Sequence, residues 1–199
     1  MKLPGSIEIV ALHDKVLAEG DWSAMSATDP AGDVWSHIER NHRCNCKLWT
    51  EEDQARRRDV PDAAIAANKR SIDAFNQQRN DAIEKIDESL LALLPAERGT
   101  DARLNSETAG AMVDRLSILA LKVFHMRIQT RRGDADETHL ETSRSRLARL
   151  GEQRTDLAAC FDALLADVLA GRARFKVYRQ FKMYNDPAFN PYLYGAKRG

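Results

Sequence analysis

Residues 62–94 decide the fold, and they read DAAIAANKRSIDAFNQQRNDAIEKIDESLLALL. Apolar side chains recur along this stretch at helical spacing: Ile65, Ile72, Ile83, Ile86 and Leu90. A helix rises about 1.5 Å per residue, so an unbroken helix here would approach 50 Å in length. The stretch therefore predicts one long amphipathic helix, of the kind that packs in a helical bundle.

This helix also carries an unusual polar stripe. Its members fall within roughly 60° of one direction at about 100° per residue, and they are Lys69, Asp73, Asn76, Gln77, Asn80, Glu84 and Asp87. Asparagine inside a helix costs roughly half a kcal/mol relative to alanine, because its short amide competes for backbone groups. With Asn68 also present, the stripe indicates that the amides serve a purpose and predicts a polar site.

Prolines and turn residues delimit the remaining helices. We expect helices from about Ile7 to Glu19, Asp33 to Arg57, Thr108 to Thr130 and Asp136 to Ala170, the last with Gly171 as its C-cap. The expected connections are a loop through Asp29-Pro30, a turn at Asp59-Val60-Pro61, a loop from Ala96 to Glu107 and a turn at Arg132-Gly133-Asp134. Strand signals are nearly absent.

These elements predict an all-α fold. Four long helices with short connections favour an antiparallel bundle, preceded by a short N-terminal helix. A chain of 199 residues fits one domain. We expect a bundle core over about 33–171 and an aromatic-rich C-terminal wrap over 172–199 that packs on the bundle.

The predicted helix from Thr108 to Thr130 is apolar nearly all round, with Leu116, Leu119 and Val123 on one face. Such a helix is buried on most sides. We therefore expect it to be the most buried element, with Leu119 in the core. Its polar residues then become candidates for internal pairing, and they are Asp114, Arg115, Ser117, Lys122 and His125.

The predicted second helix carries a stripe that begins apolar and ends charged: Trp35, Ile38, His42, Cys46, Trp49, Asp53 and Arg56, flanked by Asn45 and Glu52. This order is expected of a helix face that begins in the core and ends at a pocket. Glu51 points away from this face and should be solvated. Arg79 and Arg154 lie inside apolar stripes of their helices. A buried guanidinium needs an anionic partner, which would be a carboxylate such as Asp53 or Asp114, or a bound phosphate.

Four motifs in order resemble one known family. They are NCKLWTEEDQARR (45–57), IAANKRSIDAFNQQRNDAIEKIDESLL (65–91), LNSETAGAMVDRLSILALKVFHMR (104–127) and FKVYRQFKMYNDPAFNPYLY (175–194). Together they resemble the bacterial domain-of-unknown-function family 4254, which implies an all-helical bacterial protein with no established activity. The family's usual run has a histidine after the tryptophan and an aromatic residue after the asparagine. Thr50 and Cys46 stand there in this chain, so no catalytic role is carried to those positions.

The residues that match the family by motif position are Asn45, Trp49, Glu52, Asp53, Arg56, Lys69, Asp73, Asn76, Gln77, Arg79, Asn80, Glu84, Asp87, Asp114, Lys122 and His125.

Composition argues against several classes of partner. The 30 basic residues balance 30 acidic ones, so the electrostatic footprint of a nucleic-acid binder is missing. No stretch approaches the roughly 18 apolar residues of a membrane span, and we find no export signal. Cys44, Cys46 and Cys160 then predict reduced thiols in the cytoplasm. Composition leaves open whether the chain forms a homo-oligomer.

The sequence patterns that would indicate a metal site are incomplete. Glu39 and His42 have the Glu-x-x-His spacing of di-iron bundle helices, but a second copy is missing. Glu84 and Asp87, together with the Glu51-Glu52 pair, resemble the magnesium-holding carboxylates of all-helical nucleotide pyrophosphohydrolases. That motif needs a further glutamate where Ala55 stands. A divalent metal at Glu84 and Asp87 stays open.

The tail interleaves aromatic and basic residues, among them Phe175, Tyr178, Arg179, Phe181 and Lys182. Such interleaving is found in proteins that bind single-stranded nucleic acid. With zero net charge, we expect the tail instead to fold across the bundle, with turns at Asn185-Asp186-Pro187 and Asn190-Pro191.

Two function classes follow. The first is a polar site inside the bundle that binds or processes a small polar or phosphorylated ligand, sugar-like or nucleotide-like. Its predicted catalytic residues are Asp53, Asp73, Asp114 and His125, and its predicted substrate-binding residues are Asn45, Trp49, Asn76, Arg79, Asn80 and Lys122. We expect Trp49, Asp53, Asn76, Asn80, Asp114 and His125 around one polar centre, where Arg79 or Lys122 pairs with a carboxylate.

The second class is a non-catalytic structural or adaptor protein whose buried polar network only specifies packing. A further alternative is a magnesium-dependent all-α nucleotide pyrophosphohydrolase.

Overall fold

The structure, a computed structural model, describes residues 2–20, 32–95 and 101–195. Its helices are α1 (Ser6–Glu19), α2 (Val34–Gln54), α3 (Asp62–Leu93), α4 (Ala109–Gln129), α5 (Glu137–Leu169) and the short α6 (Pro191–Gly195), with a 3₁₀ turn at Met183–Asn185. α2 packs along α3 and α4 packs along α5, while α4 also contacts α1, α2 and α3. The predicted all-α bundle is confirmed. The predicted loop through Asp29-Pro30 lies outside the described residues.

Local capping explains where the long helices begin. The side chain of Asp33 accepts from the Ser36 backbone N–H (3.0 Å), and that of Thr108 accepts from Ala111 (3.1 Å). Asp136 caps α5 in the same way. Such side chains satisfy backbone donors that the first helical turn leaves unpaired. At the other end of α5, Gly171 takes a positive φ of 71°, as expected of a residue that terminates a helix.

α4 lies at the centre of the hydrophobic core. Val113 and Leu116 are fully buried and pack with residues of all the other long helices, including Phe161 of α5. Leu119, predicted to lie in the core, is only half-buried and lines a cavity between α4 and α5. Leu116 therefore takes the central position. None of the described helices combines the length and apolar content that a membrane span requires.

A close contact fixes the start of α4 against α3. A Cβ atom placed on Gly110 would lie 2.5 Å from the Ile83 carbonyl oxygen, so the two backbones touch there. Asp87 is buried beside this contact and accepts a hydrogen bond from the Gly110 N–H (2.7 Å). Burial raises the pKa of Asp87 to about 6, against the opposing hydrogen bonds from Thr108 and Gly110. This carboxylate holds the helix in place.

Two short strands were not anticipated. β1 (Arg103–Leu104) and β2 (Ala173–Arg174) pair in parallel. The Arg103 N–H donates to the Arg172 carbonyl (2.9 Å), and the Asn105 N–H donates to the Arg174 carbonyl (2.8 Å). Strands of two residues carry no alternation that a sequence could show.

The C-terminal tail is packed at its start and exposed further on. Phe175 is fully buried in the core. Arg179 pairs with Glu84 and Glu88 of α3, and the Gln180 N–H donates to Glu84 (2.8 Å). Beyond that point Lys182, Tyr184 and Asn185 border a cavity with α3 and α4. Many aromatic side chains of the tail are exposed to solvent, among them Phe181, Tyr184, Phe189, Tyr192 and Tyr194.

Two charged side chains have partners other than those expected. The Arg154 guanidinium bonds to Asp14 of α1 (2.9 Å) and to the Val10 carbonyl (3.2 Å), rather than to Asp53, Asp114 or a phosphate. Glu51, predicted to be solvated, accepts from the Asn68 amide (2.7 Å). Both pairs join residues of different helices. Which residues pair therefore depends on how one helix is rotated against the other.

Candidate functional site

A buried carboxylate, Asp114, lies where α2 crosses α4. Its Oδ1 atom accepts hydrogen bonds from the side-chain amides of Asn41 (2.9 Å) and Asn45 (2.8 Å). The two asparagines are one helical turn apart on α2, so both reach the same point on α4. These amides orient the carboxylate.

A chain of hydrogen bonds continues from Asn45 into the interior. Its amide also donates to the Ser117 hydroxyl (2.9 Å), which lies 2.7 Å from His42 Nδ1. His42 Nε2 lies 3.1 Å from the His13 carbonyl oxygen. A carbonyl only accepts, so Nε2 carries the proton and Ser117 donates to Nδ1. Burial lowers the pKa of His42 to about 3, and the ring is therefore neutral.

Arg79 of α3 faces Asp114 from the other side. Its Nε atom lies 4.0 Å from Asp114 Oδ1, at the limit of an ion pair. That nitrogen is buried and finds no hydrogen-bond acceptor among the described residues. A desolvated guanidinium nitrogen with an unused N–H is costly unless something else accepts from it.

Arg79 lies between two cavities. The first, here called the tail-side cavity, measures about 500 Å³ and lies between α3, α4 and the tail. Its lining includes Asp73, Asn76, Arg79, Asn80, Asp114 and Lys182. The second, the central cavity, measures about 290 Å³. Its lining includes Asn45, Trp49, Asp53, Asn76, Arg79 and Leu121. Asn76 and Arg79 form a wall that both cavities share.

A third cavity adjoins the central one on the far side of Trp49. This α5-side cavity measures about 550 Å³ and lies between α2, α4 and α5. It is lined in part by Trp49, Asp53, Lys122, His125, Arg146 and Arg149. The Trp49 and His125 rings stack in parallel, with centroids 4.4 Å apart. Burial lowers the pKa of His125, and the nearby Asp53 carboxylate opposes that shift.

The tail-side cavity brings two cations close together. Burial lowers the pKa of Lys182, and the positive charge of Arg79 lowers it further, while Asp81 and Asp73 oppose the shift. Lys182 forms no ion pair with a described carboxylate. The ammonium and guanidinium groups thus border one cavity without a shared anion between them.

All of the predicted catalytic and substrate-binding residues line one of these three cavities. They do not surround a single centre, however. Trp49, Asp53 and His125 lie at the α5-side cavity, whereas Asn80 and Asp114 lie at the tail-side cavity. Their roles stay predictions.

The two predicted metal ligands lie apart from these cavities. Glu84 accepts from Arg179 and from the Gln180 N–H, and Asp87 accepts from Gly110. Within the described ranges, no three His, Cys, Asp or Glu side chains are grouped closely enough to hold a metal ion. The metal role of Glu84 and Asp87 stays a prediction that this geometry does not favour.

Several site residues escaped the sequence analysis. Asn41 precedes Asn45 by one turn, and that spacing is a signal that could have identified it. Arg146 and Arg149 come from the polar side of α5, and Lys182 comes from the tail. Nothing in their local sequence distinguishes them from solvated basic residues.

A family model described as "Protein of unknown function (DUF4254)" matches residues 35–177. The chain therefore belongs to this family, as its motifs indicated. The match begins in α2 and extends just past β2, so it contains Asp114, Arg79 and Trp49. No curated protein and no solved structure gave a match.

Proposed function

We propose that the tail-side and central cavities bind a small polar ligand that carries a phosphate or a similar anionic group, such as a sugar phosphate or a nucleotide. The observation that carries this proposal is the buried Nε atom of Arg79, which lacks an acceptor among the described residues. Arginine presents its donors in a fixed fork that matches phosphate and carboxylate oxygens.

The charges around Arg79 support an anion rather than a neutral ligand. Lys182 borders the same cavity, and the two cations repel each other there. An anion between them would remove that repulsion and supply both groups with a partner. An anionic group in the tail-side cavity should therefore bind more favourably than a neutral one.

The remaining lining suits hydroxyl groups. Asn76 and Asn80 present amides that both donate and accept, and Asp73 adds a carboxylate. In the central cavity, Trp49 supplies an apolar surface beside Asn45. A few polar groups around an apolar wall are typical of small-molecule sites. We propose Asp73 and Asp114 as the carboxylates nearest the ligand, with Asp53 and His125 beyond Trp49.

The test is binding of phosphorylated ligands to Arg79→Gln and to a matched control, Arg70→Gln. Arg70 lies on the same helix and is exposed. Calorimetric titration with a panel of sugar phosphates and nucleotides should show a ligand whose affinity falls at least tenfold in Arg79→Gln and stays unchanged in Arg70→Gln. At a hundred times its dissociation constant, that ligand should stabilise the wild type by roughly 2.7 kcal/mol. Equal affinity in all three proteins would refute the proposal.

A purely structural role is the second candidate, and the continuous hydrogen bonding from Asp114 to His13 favours it. Asp114→Asn tests it. If the carboxylate serves only packing, this variant should melt lower than the wild type, and the ligand panel should give no binder. A melting temperature that is unchanged or higher, with ligand binding lost, supports the site.

We also propose that the protein is bacterial and works in the cytoplasm. Cys44 and Cys46 are free and buried, and Cys160 is free and exposed. Burial raises the pKa of the Cys44 thiol to about 11 and that of Cys46 to about 12, so neither is a reactive thiolate. Free thiols persist in a reducing compartment.

A further inference from the structure

The α5-side cavity has features of a binding site in its own right. Lys122 of α4 and Arg146 and Arg149 of α5 border it, with the exposed Asp53 as the carboxylate among its described lining residues. Three cations thus face one anion. Its volume of about 550 Å³ falls within the range of small-molecule pockets.

The cations of this cavity differ from their neighbours on α5. Arg144 pairs with Glu137 (2.7 Å), and Arg154 pairs with Asp14 (2.9 Å). Arg146 and Arg149 lie between these two on the same helix, and neither forms an ion pair with a described carboxylate. Three positive charges gathered at one cavity with a single carboxylate, Asp53, favour an anionic occupant.

The walls of the cavity favour a flat occupant. Trp49 and His125, whose rings stack on each other, line the cavity, and Met126 and Leu150 add apolar surface. Arginine side chains stack on aromatic rings as well as binding anions. The same two guanidinium groups can therefore hold both parts of a ligand that combines a ring with an anionic group.

We infer that the α5-side cavity is a second binding site, specific for a planar aromatic anion. The shared chemistry is a flat aromatic ring joined to an anionic group, either directly, as in an aromatic acid, or through a ribose, as in a nucleoside monophosphate. This site adjoins the central cavity at Trp49 and Asp53 but does not include Arg79, and it stands whether or not the proposed function holds.

The experiment uses the full chain and the double variant Arg146→Gln/Arg149→Gln, with Arg144→Gln as the matched control on the same helix. Adenosine monophosphate and 4-hydroxybenzoate serve as the two planar anions, while inorganic phosphate and adenosine each carry only one part. Calorimetry should show that one planar anion binds at least tenfold more tightly than phosphate or adenosine. The double variant should weaken that binding at least tenfold, whereas Arg144→Gln should change it less than twofold.

If adenosine monophosphate binds, the ligand class is a nucleotide; if 4-hydroxybenzoate binds, it is an aromatic acid. The inference is overturned if neither planar anion binds or if phosphate alone binds as tightly. The inference is also overturned if Arg144→Gln weakens binding of the anion as much as the double variant does, because the loss would then reflect the general surface charge. Loss in Arg79→Gln with no change in the double variant overturns it as well, since the ligand would then occupy the tail-side cavity. Thermal unfolding of each variant verifies that the fold is retained.

Discussion

Two polar regions meet at Asp114, and they are built differently. Toward α2, the carboxylate accepts from Asn41 and Asn45, and the hydrogen bonds continue through Ser117 to His42. Toward α3, it faces Arg79 across 4.0 Å, and the guanidinium Nε finds no acceptor in the described part of the chain. One region is closed and paired, whereas the other is open to a cavity.

This difference shows that buried polarity in one bundle can serve two purposes. The hydrogen bonds from Asp114 through Asn45 and Ser117 to His42 fix how α2 lies against α4, because another register would break them. A buried guanidinium N–H that lacks a hydrogen-bond acceptor beside a cavity, as in Arg79, lowers the stability of the empty protein. The closed region should therefore respond to mutation through stability, and the open region through binding.

The largest effect is expected when the shared carboxylate is removed. Asp114→Ala leaves two buried amides without their acceptor and Arg79 without its nearest anion. Stranding buried partners in this way costs about 3–5 kcal/mol, which urea denaturation would measure. Asp114→Asn is the control, because it keeps an oxygen for Asn41 and Asn45 and should cost less than half as much. A loss below about 1 kcal/mol in Asp114→Ala would show that the network contributes little to stability.

The next effect concerns pH and the closed region. His42 has a pKa of about 3 when folded, against about 6.5 when unfolded. Below pH 6.5 the unfolded chain therefore binds a proton that the folded chain does not, and stability falls as the pH falls toward 3. Between pH 6.5 and pH 4.5 this histidine should cost about 2–3 kcal/mol.

The measurement is the difference between wild type and His42→Gln, so that opposing contributions such as that of Asp87 cancel. His42→Gln should have the shallower pH dependence. Parallel curves for wild type and His42→Gln would contradict the prediction. Burial also lowers the pKa of His13, so His13 should act in the same direction.

A smaller effect is expected where α3 touches α4, because this contact positions both regions. Gly110→Ala would place a methyl group against the Ile83 carbonyl and should cost about 1–3 kcal/mol. Gly151→Ala is the matched control on α5, where an added Cβ meets nothing within 4 Å. That variant should gain up to about 1 kcal/mol from helix propensity. Equal stability of the two variants, measured by thermal unfolding, would mean that the helices separate easily.

The smallest effect is expected in the open region. Asp73 lines the tail-side cavity and forms an exposed pair with Lys69 one turn away. Such pairs contribute less than about 0.5 kcal/mol, so Asp73→Asn should keep the melting temperature while altering affinity for the ligand of the Arg79 site. A destabilisation above about 2 kcal/mol would instead assign Asp73 to the packing network.

The sequence predicts the helices well because their limits are local. Asp33, Thr108 and Asp136 were expected at helix starts, and each caps the first turn. It also predicts which residues face inward, since helical periodicity groups Asp114 with its apolar neighbours. These features depend only on residues a few positions apart.

Partners across helices were harder to predict. The anion beside Arg79 was among those proposed, but Arg154 bonds to Asp14 of α1, and Glu51 bonds to Asn68. Each pairing depends on how far one helix is rotated and shifted against another, and that is set by the packing of the whole core. The separation of the predicted site into adjoining cavities has the same origin, because Trp49 lies between the central and the α5-side cavity.

The pairing of β1 with β2 has a consequence for the order in which the chain folds. It joins residues about 70 positions apart, and contacts so distant in sequence form slowly because the intervening chain must first be ordered. We expect α4 and α5 to associate first and the strand pair to close afterwards, drawing Phe175 into the core. Lys182 follows that anchor, so the wall it provides should be the last part of the tail-side cavity to assemble.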